Sequence, residues 1–359
     1  MRILDRYLLR EFLSFALLGV LAFILLFIVT DLTEKLDIFV DSHAPLHLVL
    51  RYYLFGLPTM LTEVLPIALL LGTLMGLSGL RKNNELTAMQ SSGQSPWRLA
   101  RPLLAAALLI SVGQYVMNET IGPKAYETQR RVLSEEIRHQ TESDRESRAE
   151  VRLIGSGGRF YYAQFYNARA AALTGVSVQT ISHSLLLTRI DAERAYYANG
   201  VWRFESGTYR EFGDSTQTAL PFSGYGTNDF TEIPEDFAKQ NQDPFHMSMR
   251  DLLRYAARVR ESGGAVVRHL TNFHIRASFP LANLVMVLLG TALSLRVIRG
   301  GNVALGFGIS VSIGFAYFAF IRVGQALGYS GTLPPMLAAW LGNLVFSTLG
   351  GLLFWKVTR

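Results

Sequence analysis

The sequence predicts a polytopic α-helical membrane protein, with six transmembrane helices in a three-plus-three arrangement around an inserted all-β, jelly-roll-like domain. Of the 359 residues, 50% are hydrophobic and only 17% are charged, whereas soluble domains carry about 25% charged residues. The apolar runs lie towards the two ends of the chain, and the middle is polar and mixed. We therefore divide the chain into an N-terminal membrane half (1–117), an extracytoplasmic domain (118–270) and a C-terminal membrane half (271–359).

Six apolar runs are long enough for a bilayer core, which needs about 20 residues per helix. They are Phe12–Val29, Leu57–Leu80, Leu99–Met117, Phe279–Leu295, Val303–Leu327 and Met336–Trp355. The first run is longer than the apolar part of a signal peptide and no small-residue cleavage site follows it, so we expect it to remain a membrane helix. Small residues at fourfold spacing (Gly72/Gly76 and Gly306/Ser310/Gly314) predict close helix contacts, either within the chain or with a partner subunit.

The direction of the spans follows from the Lys and Arg residues of the short loops, which favour the cytoplasmic side. These residues are Arg2, Arg6, Arg10, Arg81, Lys82, Arg98, Arg101, Arg296, Arg299, Lys356 and Arg359. The opposite loop, Asp31–Leu48, is acidic. Both termini are therefore predicted to be cytoplasmic and the insert to lie outside. The N-terminal arginines also predict a basic helix that lies on the cytoplasmic leaflet before span one.

The insert has the pattern of an all-β domain. Short β segments are predicted at Arg159–Tyr166, Val176–Ser182, Leu185–Ile190, Arg194–Tyr197, Trp202–Phe204 and Thr208–Phe212. Asn199-Gly200 indicates a type I′ hairpin between two of them. Met247–Glu261 is predicted to form an amphipathic helix before span four.

No residue set of the insert suggests catalysis, because the sequence has neither a nucleophile elbow nor an HExxH motif. The chain has no cysteine, so disulfides, cysteine-ligated zinc and thiol catalysis are excluded. His43/His47 is an i, i+4 pair, but a zinc site needs further ligands in a set geometry. We assign no catalytic residue, no metal site and no cofactor. The net charge of +6 is interpreted as a topology signal and not as a nucleic-acid site.

The cytoplasmic loop Asn83–Ser95 is predicted to contain a short helix. Glu85, Leu86 and Met89 give it an apolar face, and Gly93 ends it. Such a helix parallel to the membrane transmits force from a separate ATPase, or it is an ordinary connection between two spans. A separate ATPase is needed for any ATP-driven work, because the sequence has no phosphate-binding loop.

Basic residues at the outer ends of the spans form a second candidate site. Lys35, Arg51, Arg276 and Arg322 are predicted to hold an anionic lipid headgroup through charge-assisted hydrogen bonds. The alternative is that they anchor the spans at the interface or pair with nearby carboxylates. Glu63 lies between Pro58 and Pro66 in span two, where an intramembrane carboxylate is a functional candidate.

Several stretches along the whole chain carry a family resemblance. They are Leu4-Asp5-Arg6-Tyr7, Gly56-Leu57-Pro58, Leu65 through Gly72, Glu85 through Gly93, Gly200-Val201-Trp202-Arg203-Phe204, Phe279-Pro280-Leu281 and Pro334-Pro335. With these stretches the chain resembles the LptF/LptG (YjgP/YjgQ type) permeases of the lipopolysaccharide export ABC system. The Pro334-Pro335 turn and the position of Arg276 resemble the G-type subunit more than the F-type. Two features differ from the G-type subunit, which has more basic residues after span one and an apolar residue at the position of Glu63. Here Lys35 is the one basic residue among acids after span one, and position 63 is a glutamate. The lipid contacts of the family therefore do not carry over residue by residue.

The resemblance implies an inner-membrane permease subunit that extracts lipopolysaccharide from the outer leaflet and passes it through a periplasmic β-jelly roll to a bridge protein. It implies a heterodimer with a second permease, a cytoplasmic LptB-like ATPase dimer that binds ATP and Mg, and a single-span LptC-like partner. The loop at Glu85 would then be the coupling helix. Two other classes stay open at this point: an ABC membrane subunit that relays force without moving lipid, and a membrane-anchored periplasmic receptor or enzyme.

Overall fold

The computed structural model describes residues 3–139, 147–182, 185–213, 216–227, 230–239, 248–250, 252–254, 256, 266–296 and 303–358. The chain divides into two compact units. The membrane unit consists of Met1–Arg130 and Val267–Arg359, and the second unit consists of Arg131–Val266. The domain limits at 117/118 and 270/271 stay predictions.

The described part of the membrane unit contains six helices that are long and apolar enough to cross a membrane, which confirms the predicted spans. Spans one to six are Ile3–Glu34, Leu46–Lys82, Pro96–Thr120, Val267–Leu295, Phe307–Tyr329 and Pro335–Val357. Span five belongs to the helix Val303–Tyr329 and span six to the helix Pro335–Thr358. Shorter helices are Leu36–Asp41, Glu85–Ser91 and Gly122–Arg131, followed by a π-helical turn at Val132–Ile137.

Arg6 and Arg10 do not lie on a separate surface helix, and Arg2 lies outside the described residues. Span one is continuous from Ile3, because no proline or glycine interrupts the sequence before Gly19. Leu8 and Phe12 are each 2% exposed and belong to the core of the membrane unit. The prediction of a separate helix on the leaflet is therefore wrong.

Spans two and four form the centre of the membrane unit. In each of them 78% of the most apolar window is buried, against 17% in span one and 22% in span five. Span one packs on span two where the backbones come close: a Cβ on Gly72 would lie 2.8 Å from the backbone nitrogen of Ala16. A Cβ on Gly314 of span five would meet Ile67 of span two. These small residues thus serve packing within the chain.

Span four is broken by Pro280, which lies in the 3₁₀ turn Phe279–Leu281 between the helices Val267–Ser278 and Ala282–Arg296. At its C-terminal end the Arg81 guanidinium of span two donates to the carbonyls of Ser294 (2.9 Å) and Leu295 (3.1 Å). The last carbonyls of a helix lack intrahelical donors, so this contact satisfies them and ties the two central spans together.

The second unit contains one antiparallel six-stranded sheet. Its strands are β1 Arg148–Ile154, β2 Arg159–Asn167, β3 Ala172–Ser182, β4 Leu185–Ala198, β5 Val201–Phe212 and β6 Gln217–Thr227. The predicted all-β insert is thereby confirmed. The segments predicted at 185–190 and 194–197 are parts of β4, and those at 202–204 and 208–212 are parts of β5. The β4–β5 turn has positive φ at Asn199 (54°) and Gly200 (81°), as the type I′ prediction requires.

The strand order of this sheet is sequential from β1 to β6. Every described neighbour pair is an antiparallel hairpin pair, so the connectivity is that of a meander. A jelly roll is built from Greek keys, and the described strands contain none. The jelly-roll description therefore does not apply to the connectivity of these strands, because short turns join each strand to the next.

One face of the sheet is covered by a short segment that we name the clasp segment, Phe230–Lys239, with a helix at Pro234–Lys239. Phe237 is 1% exposed and packs against Tyr161, Tyr166 and Trp202. The helix predicted at Met247–Glu261 lies for the most part outside the described residues.

Candidate functional site

The loop between spans two and three folds as the short helix Glu85–Ser91, which we name the loop helix. Asn84 precedes it with a left-handed backbone, and Gly93 follows it with φ +86° and open space around the position of a Cβ. Leu86 is 1% exposed and Met89 is partly buried against the same core cluster as Leu8 and Phe12. The apolar face predicted from the sequence therefore anchors the loop helix on the membrane unit.

Glu85 is tied to span one. Its carboxylate accepts a hydrogen bond of 2.6 Å from the hydroxyl of Tyr7, 78 residues earlier in the chain, and a longer one of 3.4 Å from the Asn83 amide. Thr87, Ala88 and Gln90 are exposed on the outer side of the helix. The loop helix thus offers a polar, small-residue surface, while Glu85 links its first turn to span one.

Lys35 and Arg51 have different surroundings. The Lys35 ammonium donates to Asp31 and lies 5.4 Å from the centre of the Tyr52 ring. Burial lowers the pKa of Lys35, but the hydrogen bonds to Asp31 and Tyr52 outweigh it, and the net shift is upward. Lys35 therefore stays charged and sits in an internal ion pair, whereas the Arg51 guanidinium lies 5.9 Å from the Phe55 ring centre on an exposed side chain.

Arg276 is directed into the membrane unit. Its side chain is 9% exposed, lies 3.4 Å from the Glu119 carboxylate and donates to the backbone carbonyl of Asn118 at 2.9 Å. Its second terminal nitrogen, Nη1, is buried without a hydrogen-bond partner among the described residues. Arg276 therefore links span four to the end of span three.

Arg322 belongs to a different polar group near the C-terminal end of span five. Its guanidinium is exposed and donates to Gln325 at 3.0 Å. Gln325 donates to the Tyr329 hydroxyl at 2.8 Å, and Tyr329 donates to Asn272 of span four at 2.5 Å. The structure thus separates Arg276 and Arg322 into two clusters, one internal and one open to the outside.

Glu63 lies half-buried in span two. The charge of Arg322 acts on it electrostatically, but no ion pair within 4.0 Å joins the two among the described residues. The roles assigned to Glu63 and to the four basic residues stay predictions. His43, of the pair considered for metal, contacts the carbonyl of Val40 through Nδ1 at 2.9 Å.

A buried polar set that the sequence reasoning missed joins spans two, three and four. Gln114 donates to the backbone carbonyl of Thr62 at 3.2 Å and accepts from Asn283 at 2.6 Å. The Thr62 hydroxyl lies 2.7 Å from the amide oxygen of Asn118. The available signal was a polar amide inside each of two apolar runs, Gln114 near the end of the third run and Asn283 near the start of the fourth.

Comparison with known proteins places these features in a family context. The family model described as "Lipopolysaccharide export system permease LptF/LptG" matches residues 6–356. The chain is 21% identical over 298 residues to the lipopolysaccharide export system permease protein LptG of Escherichia coli K12, covering 82% of each chain. It is also 33% identical over 133 residues to the corresponding protein LptF, covering 37% of this chain and 36% of LptF. LptG of Haemophilus influenzae is 21% identical over 318 residues, with 84% of this chain and 83% of the relative covered.

Proposed function

Because the chain belongs to the lipopolysaccharide export system permease LptF/LptG family, we propose that it is a transmembrane permease subunit that extracts lipopolysaccharide from the outer leaflet of the inner membrane. In this proposal the insert is periplasmic, receives the lipid and passes it to a bridge protein. The observation that carries the proposal is the extent of the family match. It covers residues 6–356 and so includes all six spans and the sheet.

The energy for extraction would come from a cytoplasmic LptB-like ATPase dimer. This chain has no phosphate-binding loop of its own, and ABC transport requires one. The loop helix suits the contact, since Leu86 fixes it on the core while Thr87, Ala88 and Gln90 face outwards. The basic loops support a cytoplasmic position for both termini and for this helix.

A second, related permease would complete the membrane assembly. Spans one and five are the least buried, with 17% and 22% of their windows covered within the chain. Their exposed apolar side chains include Leu17, Leu25 and Phe315. A heterodimer formed along these faces would enclose the space for acyl chains between two permeases. An LptC-like single-span partner would join the same assembly at its periplasmic side.

The lipid headgroup would be held by the basic residues that remain accessible. Arg322 and Arg51 are exposed, and a guanidinium forms two parallel hydrogen bonds with a phosphate. The side chains of Lys35 and Arg276 are only 25% and 9% exposed. We therefore assign first contact with phosphate to Arg322 and Arg51, and assign Lys35 and Arg276 to holding the outer ends of the spans in place.

The experiment that tests the function is isolation of the full-length protein from membranes of its source, in detergent. The co-purifying proteins are identified by mass spectrometry, and bound lipid is extracted and analysed. An ATPase, a related permease and lipopolysaccharide together are the expected result. An ATPase without bound lipopolysaccharide would favour a force-relaying subunit, and recovery of neither would contradict the proposal.

The coupling role of the loop helix is tested by three substitutions in the reconstituted complex. Glu85→Ala removes both the carboxylate and its bond to Tyr7, Tyr7→Phe removes only the bond, and Gln90→Ala is the matched control on the exposed face. We expect Glu85→Ala to lower lipopolysaccharide release per ATP hydrolysed and Gln90→Ala to leave it unchanged. An equal loss with Tyr7→Phe would assign the effect to the link with span one and not to direct contact with the ATPase. Unchanged release in Glu85→Ala would remove Glu85 from the coupling mechanism.

A further inference from the structure

Span two contains a backbone carbonyl that its own helix cannot satisfy. Pro66 has no N–H, so the helical hydrogen bond to the carbonyl four residues earlier, at Thr62, is missing. In a membrane interior, such a carbonyl must find another donor. The side-chain amide of Gln114 in span three provides it at 3.2 Å. Gln114 is 3% exposed, so this contact is internal to the helix bundle.

The same amide continues into span four. The Gln114 carbonyl oxygen accepts a hydrogen bond of 2.6 Å from Asn283, which is fully buried. Asn283 lies just after the break at Pro280. Gln114 thus links span two, at the carbonyl left without a donor by Pro66, to span four just after Pro280. We name Thr62, Gln114 and Asn283 the amide bridge.

The amide bridge has hydrogen-bonding capacity that is not used in this conformation. The Asn283 amide oxygen is buried without a partner among the described residues, and so is Nη1 of Arg276, one turn before Pro280. A buried polar group without a partner is unfavourable, and unused donors and acceptors on neighbouring turns allow an alternative pairing when the helices shift. The bridge therefore has the features expected of a two-state contact.

We propose that the amide bridge is a hinge of the transport cycle, in which Gln114 is a positioning residue that holds span two at Thr62–Pro66, where the missing helical hydrogen bond lets the helix flex, and passes its movement to span four. This inference rests on the proposed export function. The loop helix begins three residues after the end of the span-two helix at Lys82, and proline sites are where helices bend. Movement of the loop helix therefore acts on span two, and flexing at this site converts it into displacement of spans three and four.

The test compares three variants of the full chain within its complex, reconstituted with lipopolysaccharide. Pro66→Ala restores an N–H at position 66, so the Thr62 carbonyl regains a helical partner and span two flexes less there. Gln114→Leu removes the side-chain donor, and the double variant combines both changes. Pro102→Ala is the matched control, because Pro102 is also a buried proline inside a spanning helix but lies outside the bridge. Melting temperature, ATP hydrolysis and lipopolysaccharide release are measured for each.

We expect Gln114→Leu to lower the melting temperature by a few degrees and Pro66→Ala to restore part of the loss in the double variant, since the Thr62 carbonyl regains a donor while the buried Asn283 amide still lacks its acceptor. Pro66→Ala alone is expected to melt no lower than the wild type, to hydrolyse ATP, and to release several-fold less lipopolysaccharide per ATP than Pro102→Ala. Wild-type release per ATP in Pro66→Ala would overturn the hinge, and failure of Pro66→Ala to rescue Gln114→Leu would overturn the role of Gln114. A wild-type complex that neither binds lipopolysaccharide nor hydrolyses ATP would instead refute the proposed function.

Discussion

The clasp segment of the insert gives the sharpest prediction of local stability. The Tyr161 hydroxyl donates to the Glu232 carboxylate at 2.5 Å, and the two residues are 4% and 6% exposed. Trp202 donates to the backbone carbonyl of Glu232 at 2.8 Å. Tyr161→Phe removes one buried hydrogen bond to a charged group, which contributes about 1.5–3 kcal/mol. Because both partners are buried, no discount for solvent screening applies.

Hydrogen exchange of the full-length protein measures this loss directly. If the clasp segment opens locally, Tyr161→Phe should speed exchange of the amides around Glu232 and Phe237 by about ten- to a hundredfold. Tyr162→Phe is the matched control, because Tyr162 is 38% exposed on the opposite face of the same strand. Equal exchange in the Tyr161→Phe variant and the wild type would refute the reasoning, and so would an equal increase with Tyr162→Phe.

The pH range for the hydrogen-exchange comparison follows from the protonation of the Tyr161 hydroxyl. Burial, and then the hydrogen bond to Glu232, raise the pKa of Tyr161. For an acid with a raised folded-state pKa, the stabilisation is fully present below the unfolded-state pKa of about 10 and is lost as the pH rises through the folded-state pKa. The difference between wild type and Tyr161→Phe should therefore be constant between about pH 6 and 9.

Two further substitutions test the packing of the membrane unit by thermal unfolding in detergent. Leu86→Ala should destabilise the unit by about 2–5 kcal/mol, because Leu86 is 1% exposed in the core. Gln90→Ala on the same helix is the control and should have no measurable effect. Equal melting temperatures of the Leu86→Ala and Gln90→Ala variants would contradict the anchoring of the loop helix. Gly72→Ala should lower the melting temperature, because the new Cβ would lie 2.8 Å from the backbone nitrogen of Ala16. Gly113→Ala, where the Cβ has open space, should not lower it, and a loss as large as that of Gly72→Ala would contradict close packing of spans one and two.

The spans were predictable because each apolar run is as long as the bilayer core is thick, but their ends were not. Hydropathy marks Phe12–Val29, whereas the helix runs from Ile3 to Glu34, since charged residues at the interface still favour helix. In the insert, β6 was missed because it contains Pro221 and two glycines, which argue against a strand. Pro221 is tolerated there because, among the described strands, β6 is at the edge of the sheet and pairs only with β5.

The sequence located the loop helix but could not identify what holds it. Leu86 and Met89 were assigned to the apolar face from their spacing, and the structure buries them. The bond between Glu85 and Tyr7 joins residues 78 positions apart, and no local pattern encodes such a pair. Arg276 is a similar case: a basic residue near a span end has the same sequence signature whether it points outwards or, as here, towards Glu119.

Span five is only moderately apolar, yet little of it is buried within the chain. Among the described spans, span one is the most apolar, with a mean hydropathy of 3.0, and only 17% of its window is buried, so its exposed face suits the acyl chains that we propose are enclosed between two permeases. Span five has a mean hydropathy of only 1.6, similar to spans three and six, yet 22% of its window is buried. Its helix carries Arg322 and Gln325, which are costly against acyl chains. The exposed side of span five is therefore better suited to protein and lipid headgroups than to bulk lipid, and this is where we expect the second permease to contact the chain.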